Sequence, residues 1–271
     1  MLKRLFHCCF LGTDFKFQRY TKQKIIGEGS FSIVVSAVDS LTGEKVVIKK
    51  AKTIKEKKLL FLEYTLLARL NHPNIIRPKE FSLDDMGYMV IPKYRRDMFD
   101  DMNERIEFDM RSFVKAMVHA VSYLHSLNIV HRDIKPENIL INKDYSQAVL
   151  SDFGMAVNLS FSTPTDYCGT PTYVAPDVHD AYRNKDPYRI DWKKCDVFSL
   201  GVTFYTIYEV KFLLGPRLQD EFFTPSQEEL NTAIEYMDGH KDLKDLLKKM
   251  ICINPDERIS IDEIGQHPYL Q

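Results

Sequence analysis

The chain has 271 residues, 44% of them hydrophobic and 28% charged, a balance that excludes collagen-like, low-complexity and disordered chains. Its 37 basic and 38 acidic residues leave a formal net charge of -1, without the global basic field of a nucleic-acid binder. Five cysteines are too few and too scattered for a disulfide framework, and none falls in a zinc-type CxxC pair, so an intracellular setting is expected, cytoplasm or nucleus.

The opening residues, MLKRLFHCCF, are basic and then apolar, but the apolar part is short and no small-residue cleavage site follows, so they are not read as a signal peptide. Leu2, Leu5, Phe6, Cys9 and Phe10 fall at helical spacing opposite Lys3, Arg4 and His7. Two readings stand open: an extension that packs on the domain after it, or a membrane anchor through palmitoylation of Cys8 and Cys9. Leu at position 2 excludes N-myristoylation.

Alternation predicts a strand over Ser32–Val38, a turn at Leu41–Glu44 and a returning strand over Lys45–Lys49. Apolar residues at 59, 62, 66, 67 and 70 predict a helix, which Asn71-His72-Pro73 stops. Tyr88–Ile91 reads as another strand. Beyond about residue 100 the period turns helical. Met110, Phe113, Val114, Met117, Val121 and Leu124 form the apolar stripe of one long helix. Ser199–Tyr208 is apolar nearly all round, which predicts a helix inside a large core; the stretch is too short to span a bilayer. Leu243–Met250 and Ile261–Ile264 continue the helical part. A β-rich front and a helical back, with no repeat or Gly/Ser linker between them, predict two lobes of one catalytic unit.

Phosphate chemistry is written into three segments. Ile26-Gly27-Glu28-Gly29-Ser30-Phe31-Ser32-Ile33-Val34 places two glycines between strand-like flanks, where backbone can approach phosphate oxygens without a side chain intervening. The β-patterned run Val46-Val47-Ile48 then ends in Lys49, and Glu63, mid-helix among apolar neighbours, is the candidate counter-charge for that lysine. His131-Arg132-Asp133-Ile134-Lys135-Pro136-Glu137-Asn138 precedes strand-like Ile139-Leu140-Ile141, and Asp152-Phe153-Gly154 follows strand-like Val149-Leu150. Phosphoryl transfer needs a carboxylate to orient the acceptor hydroxyl, hard oxygen ligands for Mg²⁺ and a cation at the γ-phosphate. Asp133, Asn138, Asp152 and Lys135 supply those groups.

With these segments in this order, residues ~20–270 resemble the eukaryotic protein kinase family. The resemblance implies an α+β, two-lobed fold: residues 1–19 as an N-terminal extension, an antiparallel β-sheet N-lobe with one main helix to about residue 93, and a mostly helical C-lobe after it. It implies ATP and Mg²⁺ as cofactors. Ile26, Gly27, Glu28, Gly29, Ser30, Phe31, Ser32, Ile33 and Val34 match the Gly-rich loop, with Ser32 in place of its third glycine. Lys49 would hold the α- and β-phosphates with Glu63 as helix partner, and Ile91 with Pro92-Lys93-Tyr94 would form the back of the pocket and the hinge. Asp133 would be the catalytic base, Lys135 the γ-phosphate contact, Asn138 and Asp152 the metal ligands. Asp196 matches the buried aspartate that holds the catalytic loop.

Lys135, two residues after the base, and Gly169-Thr170-Pro171-Thr172-Tyr173-Val174-Ala175-Pro176 resemble the serine/threonine form, in which Thr170 bonds the base and the lysine. The resemblance is nearer to the basic-directed calmodulin-dependent and cyclic-nucleotide-dependent groups than to the cyclin-dependent group. Glu137 and Asp97 match positions that receive an upstream arginine, although Thr206 stands where a further acid is usual. Asp177 replaces the usual glutamate partner of Arg258. In many members of the family the arginine that Arg132 matches binds a phosphate on the activation segment, and Asp166, four residues before Thr170, stands where that phosphothreonine often lies. Two readings stand open, an aspartate that partly substitutes for the phosphate and a plain surface aspartate. Protein substrates with Ser or Thr acceptors are expected, with control from the activation segment, an activating kinase or a regulatory partner; no nucleic acid is expected, and membrane association only through Cys8 and Cys9. The alternative is a pseudokinase scaffold of the same fold, whose mark would be loss of the strand lysine, the base or a metal ligand; Lys49, Asp133, Asn138 and Asp152 are all present.

Overall fold

The computed structural model describes residues 19–29, 31–83, 86–102, 108–142, 145–215 and 225–271. Ser30 and the Cys8–Cys9 segment lie outside the described residues. The chain divides into two compact units, Met1–Lys58 with Lys79–Lys93, and Leu59–Pro78 with Tyr94–Gln271.

The first unit is built on β1 (Tyr20–Glu28), β2 (Ser32–Asp39) and β3 (Lys45–Ala51). After α1 (Ile54–Leu67), which contains the division between the units, it resumes with β4 (Glu80–Ser82) and β5 (Tyr88–Pro92). The sheet runs β1-β2-β3-β5-β4, every neighbouring pair antiparallel. Valine-rich strands with period-2 alternation bury one face. Tyr20, Val35, Ala37, Val46, Ile48 and Val90 form that core, with Ile33 and Tyr88 packed against it. Arg19 ties the start of β1 to the sheet: it donates through Nε and Nη2 to the two oxygens of Asp39 at 3.0 and 2.7 Å, and through Nη1 to Glu80 at 2.7 Å.

Helix α1 begins earlier than its apolar spacing predicts and ends at Leu67. Thr53 caps it, its hydroxyl accepting from the Glu56 N–H at 3.3 Å. The stripe differs too. Leu60, Glu63 and Leu67 are buried, whereas Leu59 and Leu62 are 46% and 63% exposed. An acid occupies the middle of the buried face, so reading apolar residues alone placed that face wrongly.

The second unit continues with β6 (Arg96–Asp97), α2 (Met98–Met102) and α3 (Met110–Ser126), then β7 (Ile129–Val130), β8 (Ile139–Ile141), β9 (Ala148–Leu150) and β10 (Val157–Asn158). The helices α4 (Pro176–Arg183), α5 (Trp192–Glu209), α6 (Gln227–Glu235), α7 (Lys241–Met250) and α8 (Ile261–Gly265) follow. Two small sheets, β6-β8-β9 and β7-β10, frame the loops that carry the candidate chemistry. Helix α3 starts at an Asp109 cap that accepts from Ser112 N–H at 3.2 Å, and it buries Phe113, Val114, Met117, Val121 and Leu124. Helix α5 is buried continuously from Cys195 to Ile207, as its apolar composition predicts. Among the described residues no helix is long and apolar enough to cross a membrane.

Candidate active site

In the second unit the chain leaves β7 into residues 131–138, a loop pinned from below by Asp196 on α5. The Asp196 carboxylate accepts three hydrogen bonds, from the backbone N–H of His131 and of Arg132, both at 2.8 Å, and from His125 Nε2 at 3.0 Å. A carboxylate buried to 1% exposure is tolerated because each donor offsets part of its lost hydration. The clamp also holds Arg132 at φ +67°, a left-handed conformation that costs a side-chain-bearing residue roughly 1–3 kcal/mol. His131 is fully buried: Nε2 donates to the Ser151 carbonyl at 3.0 Å and Nδ1 accepts from Asp133 N–H at 3.3 Å. These partners put its proton on Nε2 and give it a packing role, edge-on to Phe153 at 4.8 Å.

Asp133 presents its carboxylate above this clamp. Oδ1 accepts from the Thr170 hydroxyl at 2.9 Å, and Oδ2 accepts from Asn138 Nδ2 at 3.1 Å and pairs with Lys135 Nζ at 2.8 Å. Lys135 Nζ also donates to Thr170 Oγ1 at 2.6 Å, so acid, lysine and hydroxyl close a triangle. Gly169 makes that placement possible. Its φ is +102°, and a Cβ there would stand 2.6 Å from Val174 Cγ2 and 2.9 Å from the Arg132 carbonyl, closer than packing allows. Asn138 donates through Nδ2 to the Asp133 carbonyl as well, at 2.8 Å, so the other terminal atom of its amide is an oxygen.

Asp152 follows β9 with φ +59° and immediately precedes the short turn Phe153–Met155. A Cβ on Gly154 would stand 3.4 Å from Asp152 Oδ1 and 3.8 Å from Glu63 Oε2, which places these two acids beside the same turn. Among the described residues no group of three or more His, Cys, Asp or Glu could enclose a metal. An amide oxygen and a carboxylate suit magnesium, which takes one or two protein oxygens and completes its shell with phosphates and water. The residues present therefore fit the ion.

In the first unit the turn between β1 and β2 brings Gly27 opposite Val34 and Glu28 opposite Ile33, and Gly29 N–H donates to Ser32 O at 2.9 Å. A Cβ on Gly27 would meet Val34 Cβ at 3.7 Å, and one on Gly29 would meet Ser32 O at 3.8 Å, both ordinary contacts. The strand pair itself thus does not require glycine at either place. The missing side chains leave a cradle that a Cβ would fill, as close approach of phosphate to backbone needs. Ile26 and Phe31 are half-exposed on this turn and Ser32 is buried. Lys49 stands on β3 in register with Val34 and Met89. Lys49 and Glu63 belong to different units, and each is placed within its own.

Two features of the second unit were not legible beforehand. His125, the third donor to Asp196, sits on the apolar face of α3 and reads as core. Trp192 lies under the Arg132 guanidinium at 5.1 Å, fixing an arginine that also donates through Nε to Met155 O at 2.8 Å and through Nη1 to Asp166 at 3.1 Å. Burial pushes the Asp166 carboxyl up, but the hydrogen bond and charge of Arg132 outweigh it and hold the carboxyl below its ordinary value. Asp177 reaches Arg258 at 2.6 Å despite being one methylene shorter than glutamate.

A family model described as the protein kinase domain matches residues 20–270. Relatives named as kinases match over nearly the whole chain. Myosin light chain kinase A of Dictyostelium discoideum is 32% identical over 266 residues, covering 93% of this chain and 88% of the relative. Serine/threonine-protein kinase DCLK2 of Mus musculus is 34% identical over 269 residues, covering 93% of this chain. This chain spans only 34% of that relative's length. The phosphorylase b kinase gamma catalytic chain, liver/testis isoform, of Mus musculus is 30% identical over 276 residues, covering 94% and 67% of the two chains.

Proposed function

This chain belongs to the protein kinase family as an ATP-dependent serine/threonine kinase, and from that premise we propose that Asp133 is the base that orients and deprotonates the acceptor hydroxyl. The observation that carries the assignment is the triangle of Asp133, Lys135 and Thr170, which aims one carboxylate with two donors of known position. Lys135 would meet the transferred phosphoryl group, where its charge offsets that of the equatorial oxygens. Gly27, Gly29 and the turn between them would take the ATP phosphates, with Lys49 as their cation. Asn138 and Asp152 would hold magnesium, whose chemistry when bound is neutralisation of phosphate charge. Thr170→Val should lower kcat on the order of 10- to 100-fold with little change in KM, because the base loses its orientation. Thr170→Ser should restore the rate. Equal rates in all three proteins would remove Thr170 from the mechanism.

The proposed substrates are proteins with a basic residue upstream of the acceptor. Burial raises the Asp97 carboxyl above its ordinary value, and the charge of Asp100 adds to that. Burial likewise raises the Glu137 carboxyl, and the charges of Asp97 and Asp133 add to it against Lys135. Among the described residues, Glu137 Oε2 and the hydroxyls of Tyr173 and Thr206 are buried without a hydrogen bond of normal geometry, although Tyr173 lies near both Glu137 and Thr206. An arginine side chain would supply the donors that Glu137 lacks. Glu137→Gln is expected to lower kcat/KM for an arginine-containing peptide roughly 10-fold or more, and to leave an arginine-free peptide unchanged. With both carboxyls raised, the preference should fade on acidification while the pH is still above the ordinary carboxylate range. Rates for the peptide pair across pH, with equal losses for both, would contradict the subsite.

We further propose that Asp166 gives the unphosphorylated enzyme part of its activity by holding Arg132. The acid is 64% exposed against 4% for the arginine side chain, so the pair is worth an exposed ion pair's energy and no more. It also brings less charge than the ~-1.5 to -2 of a phosphate. Asp166→Asn should therefore slow dephosphorylated enzyme about two- to fivefold. An unchanged rate would sink the idea.

A further inference from the structure

The activation segment is held near its start by contacts that phosphoryl transfer itself does not use. Asn128, in the turn between α3 and β7, is their centre. Its backbone is left-handed at φ +56°, a conformation that asparagine adopts more readily than most residues. Its carbonyl accepts from Leu159 N–H at 2.7 Å. Its carboxamide reaches both ways: Nδ2 donates to Ser160 Oγ at 3.2 Å, and Oδ1 accepts from Lys193 Nζ, on α5, at 2.8 Å. A serine hydroxyl and an ammonium group thus stand one carboxamide apart. Lys193 is half-buried, and among the described residues it forms no ion pair. Asp191 caps α5 instead, its carboxylate accepting from the N–H of Lys193 and of Lys194 at 3.0 and 3.1 Å. Ser160 is exposed and Phe161 beside it is 86% exposed, so a modifying enzyme can reach the hydroxyl. The N–H groups of Ser160, Phe161 and Ser162 are taken up by Asn158 at 2.9, 3.1 and 3.2 Å, which leaves side chains to meet any new group on Oγ.

We propose that Ser160 is a phosphorylation site whose phosphate is received by Lys193 and Asn128. In the transfer, Ser160 Oγ attacks the γ-phosphorus of ATP. The Oγ–P bond forms as the bond from that phosphorus to the β–γ bridging oxygen breaks, ADP leaves, and the hydroxyl proton passes to a carboxylate base of the donor kinase. The phosphate brings a charge of ~-1.5 to -2 and three acceptor oxygens. Asn128 Nδ2 keeps its bond through one of them, and Lys193 exchanges a neutral amide oxygen for a charged one, a stronger hydrogen bond. The start of the activation segment is then tied to α5 and to the turn after α3, independently of Arg132 and Asp166. No basic residue lies between Asp152 and Leu159, and Leu159 and Phe161 flank the serine with apolar side chains. On the upstream-basic preference proposed above, on which this choice of donor rests, the chain does not match its own Ser160. The donor is therefore a separate kinase that accepts apolar neighbours.

Two preparations of the full chain test this. From eukaryotic cells, wild type and Asp133→Asn should both carry phosphate on the peptide containing Ser160, and Ser160→Ala should lose it. Phosphate missing from both overturns the site, and phosphate found only on the active chain overturns the separate donor. For the receptor, phosphoserine is installed at position 160 by codon suppression, with and without Lys193→Gln. By phosphorus NMR the second pKa of the phosphate should lie below the ~6 of a free phosphoserine, and return toward it in Lys193→Gln. Amide exchange at Leu159 should slow about two- to fivefold on phosphorylation, the range of an exposed ion pair, and lose that slowing with the lysine. Neither readout depends on catalysis, so an inactive chain would still show both. Indifference to Lys193 in either one overturns the proposal.

Discussion

Asp133→Asn is expected to lower phosphoryl transfer by about 10²- to 10⁴-fold, the range that a positioned acid–base group contributes. The substitution also sets donor against donor. Oδ2 of Asp133 faces Lys135 Nζ at 2.8 Å and Asn138 Nδ2 at 3.1 Å, and Oδ1 takes the Thr170 hydroxyl at 2.9 Å. An amide has one oxygen for these three donors, so whichever way it turns, an NH₂ meets an N–H or O–H. The charge that anchors Lys135 disappears at the same time. Binding of ATP should change little, because the loss falls on the reacting centre and its orientation. Single-turnover rates and nucleotide affinity, measured side by side, check this. A comparable loss in both would mean that the loop had collapsed.

Arg258→Ala is expected to cost about 3–5 kcal/mol of stability, the penalty for removing one partner of a buried ion pair. The side chain is fully buried. Its guanidinium donates to Asp177 Oδ1 at 2.6 Å and to the carbonyls of Cys252, Lys194 and Ile253 at 2.7, 2.9 and 3.1 Å. It also lies over Phe198 at 5.1 Å. Alanine leaves those carbonyls without their donor and opens a void beside α5. Asp177 is left with the Cys195 thiol, 3.2 Å away, a group whose ionisation burial already pushes far up. For a chain of this size the loss corresponds to a midpoint lower by on the order of 10 °C. Thermal unfolding measures it, and a shift of only a degree or two would show that the pair adds little.

What could be read in the sequence follows physical period. Strands β2 and β3 alternate valine with polar residues and were placed within a residue or two. Helices α3 and α5 announce themselves by a continuous stripe and by uniform apolarity. Helix α1 was misplaced because Glu63 occupies its buried face and Leu59 and Leu62 its exposed one. Helix α6 was not anticipated, although Ser226 and Glu229 form a capping box that its sequence spells out. Helix α4 is short and mostly polar, with little apolar pattern to find. At the site, the residues of the 131–138 loop and Asp152 declare themselves by type and spacing. The contacts that fix them are another matter: Asp196 is found only through the family resemblance, and His125 and Trp192 reach the loop from other helices, where proximity across a fold leaves no trace in local composition.

The central claim, an active serine/threonine kinase, is tested most directly by incubating the protein with Mg·ATP labelled at the γ-phosphate and a peptide library carrying serine, threonine or tyrosine as acceptor. The account predicts label on serine and threonine and none on tyrosine, abolished by a chelator and restored by magnesium. Label on tyrosine would contradict it, as would nucleotide binding without transfer to any acceptor in enzyme already phosphorylated on its activation segment.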